Sequence, residues 1–192
     1  AIYDFYANEQ DLVNDPALAD AAMQANVEAM KLDDAAKEAL TAEYRNYSAM
    51  YAHNHTDQIR QSIGLEDLKF ESEDLDWSTT KVVVVSTYET KWGRDRDFYE
   101  GVKNGSLKTL KESGHAVAAY ASRHLYGSGA DWHTYQFYNT WSDFAAYEEA
   151  NLGGPMTDDD KKFWSAIDAH SDEILTFIGG MNPETKTFNY AK

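Results

Sequence analysis

The stretch that most limits how this chain can fold is 115–141, HAVAAYASRHLYGSGADWHTYQFYNTW. Large and small residues alternate on both sides of the segment Gly127, Ser128, Gly129, Ala130 and Asp131, whose glycines tolerate the positive φ of a tight reversal. Tyr, Val, Thr, Phe and Trp fill both arms, so the pattern predicts a β-hairpin. With the turn at 127–130, His124 lies opposite His133, Ser122 opposite Tyr135 and Tyr120 opposite Phe137, all on one face. Arg123, Thr134, Gln136 and Tyr138 fall on the other, among the small Ala119 and Ala121.

The elements around the hairpin follow from period and punctuation. KVVVVSTYETK at 81–91 is apolar and β-branched through its first half, as a central strand covered on both faces would be. RDRDFYEGVKNGSLKTLKESG reads as a helix with Phe98, Val102 and Leu110 inward and Gly114 at its end. After the hairpin come a short helix capped by Ser142, a last helix over KKFWSAIDAHSDEILTFIG behind the acids Asp158 to Asp160, and a closing edge strand in PETKTFNYAK. Upstream, 2–7 alternates like a short strand. Asp15 and Pro16 suit the start of a helix, and a second helical period runs from Leu40 through Ile59 and Ile63 to Gly64. The acidic stretch 65–80 combines a short strand, Leu68 to Ser72, with a linker. The expected organisation is an incomplete first unit over 1–72, a linker at 73–80 and a complete β-α-β-β-α-β unit over 81–192.

Two blocks repeat. HTDQIRQSIG at 55–64 aligns without gaps with HSDEILTFIG at 170–179, and YDFYANEQDL at 3–12 with YQFYNTWSDF at 135–144. The chain therefore reads as two copies of one unit, the first beginning only at its third strand.

This order of elements, with the repeat, resembles the ferredoxin-like dimeric α/β-barrel superfamily, over 81–190 well and over 1–70 in part. The resemblance implies an α+β fold of ferredoxin-like βαββαβ units whose antiparallel sheets pack as an α/β barrel, from two chains or from tandem repeats. Members include cofactor-independent antibiotic-biosynthesis monooxygenases, muconolactone-type isomerases and chlorite-dismutase-like haem proteins, and fold does not choose among them.

Composition narrows the chemistry. A formal charge of −16 lacks the clustered Lys and Arg that nucleic acid or an anionic membrane requires. The absence of Cys excludes disulfides, thiolate chemistry and Cys-ligated metals. No apolar run reaches a spanning length, so a soluble protein is expected, and the start at Ala1 without Met leaves export open. No P-loop, G-x-S-x-G, H-E-x-x-H or G-x-G-x-x-G occurs.

The candidate chemistry lies on the hairpin. His124 and His133 side by side can pass a proton, making them the candidate catalytic pair; no carboxylate stands at metal-ligand spacing, so the plainer reading is a solvated pair. Tyr120, Arg123, Trp132, Gln136 and Tyr138 are the candidate ligand-binding residues, Arg123 suiting a carboxylate. Small residues there equally suit close helix packing, with Arg123 reaching an acidic neighbour. His170, two residues before Asp172, is the axial ligand that the haem-binding alternative requires, although an Asp near a helix start is ordinary capping. His53 and His55 form an H-x-H whose side chains diverge on a helix. The expectation is a barrel that binds a small apolar or aromatic molecule, without cofactor, self-associates, and acts as a monooxygenase- or isomerase-like enzyme. The alternatives are a non-catalytic interaction or structural barrel and a haem-binding barrel.

Overall fold

The computed structural model describes residues 8–53, 57–62, 64–182 and 188–192. The chain divides into two units, residues 1–56 and 57–192.

In the first unit, α1 (Glu9–Ala29) and α2 (Asp34–His53) fold back on each other across a short connection. Asn8 caps α1 by accepting a hydrogen bond from the Asp11 amide, so the helix starts earlier than expected and runs through Pro16. Asp33 Oδ1 accepts from the Ala36 amide at 2.8 Å and caps α2, and Lys37 reaches Glu28 at 2.7 Å. Between the helices lies an apolar groove of about 370 Å3 lined by Met23, Val27, Met30, Leu40 and Tyr44. The strand expected at 2–7 lies outside the described residues, as does His55.

The second unit is an antiparallel sheet with helices on one face. Its strands are β1 (Gln58–Gln61), β2 (Phe70–Glu71), β3 (Val82–Thr90), β4 (Ala118–Gly127), β5 (Trp132–Tyr138) and β6 (Ile167–Thr176), in the order β1-β4-β5-β3-β6, with β2 also on β4. A separate hairpin pairs β7 (Gly179–Met181) with β8 (Phe188–Tyr190). The helices are α3 (Asp95–Gly101), α4 (Leu107–Ser113), α5 (Trp141–Asn151) and α6 (Asp158–Ala166). A π-helical turn, Val102–Ser106, makes α3 and α4 one continuous rod. β3-α3/α4-β4-β5-α5/α6-β6 with sheet order β4-β5-β3-β6 is the ferredoxin-like βαββαβ topology.

β3 is central, as its apolar run requires: Val82, Val83, Val84 and Val85 are buried between β5 and β6. Phe98, Val102, Phe163 and Ala166 pack on Ala121, Trp132 and Tyr88. Leu110, Tyr147 and Phe144 pack on Val82, Val84, Ala119 and Tyr138. All four helices thus cover the same side of the sheet. Gly101 permits the contact of α3 with α6, because a Cβ there would stand 2.5 Å from Phe163 Cβ.

Three expectations are corrected. The last helix ends at Ala166, and the segment from Ile167 becomes the fourth strand, bonded to β3 from Val82 to Thr90. Backbone pairing with β3 outweighs the local helical spacing of its apolar residues. The second helix likewise ends at His53, and Gln58–Gln61 pairs with β4 instead of continuing it. β1 and β2, placed by sequence with the first unit, both join the sheet of the second. The described part of 8–53 is a pair of helices. Asn8 and Thr140 each cap a helix by accepting from the amide three residues on, that of Asp11 and of Asp143.

Candidate functional site

Side chains alternate across a strand, so the side of the sheet opposite the helices carries every second residue of β4 and β5. The hairpin register differs from expectation by two residues: Ser122 faces His133, Tyr120 faces Tyr135 and Ala118 faces Phe137. A slip of two keeps every side chain on its predicted face while changing its neighbour. The His124 amide donates to the Asp131 carbonyl at 2.7 Å in the same register, and the turn is tied to β3 by the Thr90 amide and hydroxyl, which donate to Asp131 Oδ2 at 2.7 and 3.0 Å.

On this face a polar chain runs across three strands. Arg60, on β1, donates from Nε to Ser122 Oγ at 2.9 Å; its two terminal nitrogens donate to the carbonyls of Ala130 (2.9 Å), Ser122 (3.1 Å) and Asp131 (3.1 Å). Ser122 Oγ lies 3.2 Å from the Tyr135 hydroxyl, which lies 3.2 Å from His133 Nδ1. Burial, reinforced by the Arg60 charge and by His124, depresses the half-buried His133 to a pKa of about 4. The imidazole is therefore neutral at physiological pH. Among the described residues nothing bonds its Nε2. Burial raises the Tyr135 phenol, opposed by its bond to Ser122 and by the Arg60 charge, so it stays protonated and able to donate. His124, across from Arg60 on β4, is turned aside, its Nε2 2.8 Å from the Gly127 carbonyl.

Next along the same face is an aromatic shelf. Trp77 stands edge-on to Phe137 at 5.1 Å between ring centres, stacks on Tyr120 at 6.5 Å and tilts against Phe177 at 5.8 Å. Tyr120 donates to Glu71 Oε1 at 2.8 Å, and burial, with that carboxylate, pushes its phenol well above the usual range.

The other candidate residues face the helices. Arg123 reaches Asp95 at 3.3 Å and lies over the buried Trp132 ring, whose Nε1 donates to the same carboxylate at 3.3 Å. The fully buried Tyr138 donates to Gln136 at 2.6 Å. Ala119 and Ala121 admit the helices. The space left beside Thr134, Gln136, Ser106 and Tyr88 is about 30 Å3, room for a water and not for a ligand. The structure thus joins Tyr120 and His133 on one face and sets Arg123, Trp132, Gln136 and Tyr138 on the other, where no single pocket uses both.

His170 lies on β6, where residues two apart share a face, so its Nε2 comes within 3.9 Å of Asp172 Oδ2. Its ring stacks on Tyr88 at 6.1 Å and meets Trp164 edge-on at 5.0 Å. The imidazole keeps 41% of its side-chain surface exposed, and its carboxylate neighbour lies beyond hydrogen-bond distance. Among the described residues no three His, Asp or Glu side chains gather as a metal site.

Reasoning from sequence missed Arg60, Trp77 and Phe177. Arg60 sits in a segment with helical period. Trp77 gave one signal, a lone large aromatic in an acidic stretch that offers it no helical or strand partner.

Fold and face together define a ferredoxin-like α+β domain whose four described helices all pack on one side of its sheet. No protein-family model and no curated protein matches the chain. Among solved structures the chain is similar to an anthrone oxidase-like protein at 11% identity and TM-score 0.43, over 56% of this chain and 53% of that one. It is also similar to a NIPSNAP domain protein from Burkholderia xenovorans at 14% identity and TM-score 0.39, over 49% and 91%. A nipsnap family protein from Agrobacterium tumefaciens matches at 13% identity and TM-score 0.40, over 56% and 93%. The match spans about half the length of the first of these structures. No helix among the described residues is long and apolar enough to cross a membrane.

Proposed function

We propose that the face of the sheet opposite the helices binds a flat aromatic small molecule against Trp77, Tyr120 and Phe137, and that His133 accepts a proton from it. The observation that carries this reading is the neutral, half-buried His133 at the end of the Tyr135–Ser122–Arg60 chain. In the tautomer that suits a base, Nδ1–H donates to the Tyr135 hydroxyl, that hydroxyl donates to Ser122 Oγ, and Arg60 donates to the same oxygen. Nε2 then presents its lone pair outward. A depressed pKa keeps the lone pair available, and the negative charge that develops on a ligand as its proton leaves raises the basicity of the imidazole as transfer proceeds. Removing a proton from an acidic O–H or C–H is the first step both of an isomerase that moves a double bond and of a cofactor-independent monooxygenase.

The test is a heteronuclear NMR titration with 2-naphthol, a flat phenol. Shifts should gather at Tyr120, His133, Tyr135 and Phe137. Trp77→Ala should weaken binding about tenfold, the value of one lost aromatic contact, while His133→Ala leaves affinity within about twofold. Shifts confined to other surfaces, or W77A binding as tightly as the parent, would refute the site.

A further inference from the structure

We propose that β6 is a self-complementary edge at which two copies of this chain pair antiparallel about Ser171. β6 ends the sheet, and among the described residues no strand bonds to its outer side. It is ten residues long and exposed from Asp168 through Ile174. Such an edge presents a row of backbone N–H and C=O groups to any strand that can approach.

The side chains select that strand. With Ser171 on the twofold axis, His170 faces the partner subunit's Asp172, Asp172 faces the partner subunit's His170, and Ile167 faces the partner subunit's Leu175. Moving the axis by one residue spoils the match. About His170, Asp168 meets the partner subunit's Asp172; about Asp172, that carboxylate meets its own copy. Like charges opposite each other destabilise a strand pair, and opposite or hydrogen-bonded groups favour one register.

The geometry within one copy supports the pairing. His170 and Asp172 share a face, and Tyr88 and Trp164 already hold the imidazole in orientation. In the pair each imidazole lies between two carboxylates and donates N–H to one of them. A twofold contact of this kind closes on itself, so association stops at the dimer. The proposed ligand face on β4 and β5 lies beyond β3, outside this contact.

Sedimentation velocity of the full chain at physiological salt tests this. The wild type should dimerise, and His170→Asp, which sets carboxylate against carboxylate twice, should raise the dissociation constant about tenfold or more. The double variant His170→Asp with Asp172→His exchanges the two groups and should restore the dimer. A monomer at about 100 μM, far above the range of a specific dimer, a dimer indifferent to H170D, or a natively folded double variant that stays monomeric would each overturn the proposal. Amide exchange of the wild type gives a reading without variants: protection at 168–174 should rise with protein concentration. A dimer whose β6 amides exchange alike at all concentrations would place the interface elsewhere.

Discussion

His133 and Gly101 show how single atoms set conditions on this fold. The pKa of His133 is about 4 in the folded chain against an ordinary 6.5. The unfolded chain therefore takes up the proton first as pH falls, so the stability tied to the neutral ring is complete above pH 6.5 and is lost progressively toward pH 4. Urea unfolding at pH 7 and pH 4.5 should show the parent losing about 1–2 kcal/mol more than His133→Gln on acidification, after allowance for solvent at a half-buried site. At Gly101 the constraint is spatial, since a methyl group would overlap Phe163 backbone and side chain. Gly101→Ala should cost about 1–3 kcal/mol despite the better helix propensity of alanine, and a matched thermal unfolding series with Gly105→Ala, where the nearest atom is 3.4 Å away, isolates that contact.

Among the elements, β1 is held by the Arg60 side chain as well as by its backbone pairing with β4. It is four residues long, breaks register between Ile59 and Arg60, and is fastened by a guanidinium that bonds three carbonyls across the β4–β5 turn. Arg60→Ala should lower stability by about 2–3 kcal/mol and speed amide exchange at Gln58–Gln61 ahead of the rest of the sheet. What the sequence reveals about such elements depends on whether burial writes a period into them. β3 is legible because both its faces are buried, and the rod of α3 and α4 because Phe98, Val102 and Leu110 recur on one side. The faces of the hairpin are legible for the same reason, but not its register, because a slip of two residues leaves every side chain on the same face and so leaves the pattern unchanged. β6 is illegible. Exposed on both faces for most of its length, it has no alternation to display, and only its pairing with β3 makes it a strand. The candidate site shares this limit: His133 and Tyr120 follow from the hairpin, whereas Arg60, Trp77 and Phe177 arrive from segments whose path sequence does not fix.

For the molecule as a whole, 33 acidic against 17 basic residues mean that compaction works against self-repulsion. Raising NaCl from about 10 to 200 mM, which shortens the screening length from about 30 Å to below 10 Å, should therefore raise the melting temperature in a calorimetric scan. A chain held mainly by its surface ion pairs would respond in the opposite sense. The packing of the four helices of this unit on one side of the sheet has another consequence, this one for inheritance. Along β5 the even positions 132, 134, 136 and 138 face those helices, while the odd positions 133, 135 and 137 face away from them. Under the proposed function, selection for a new ligand and selection for the helix contacts thus act on alternate letters of the same seven-residue word, and either can be rewritten while the other is left standing.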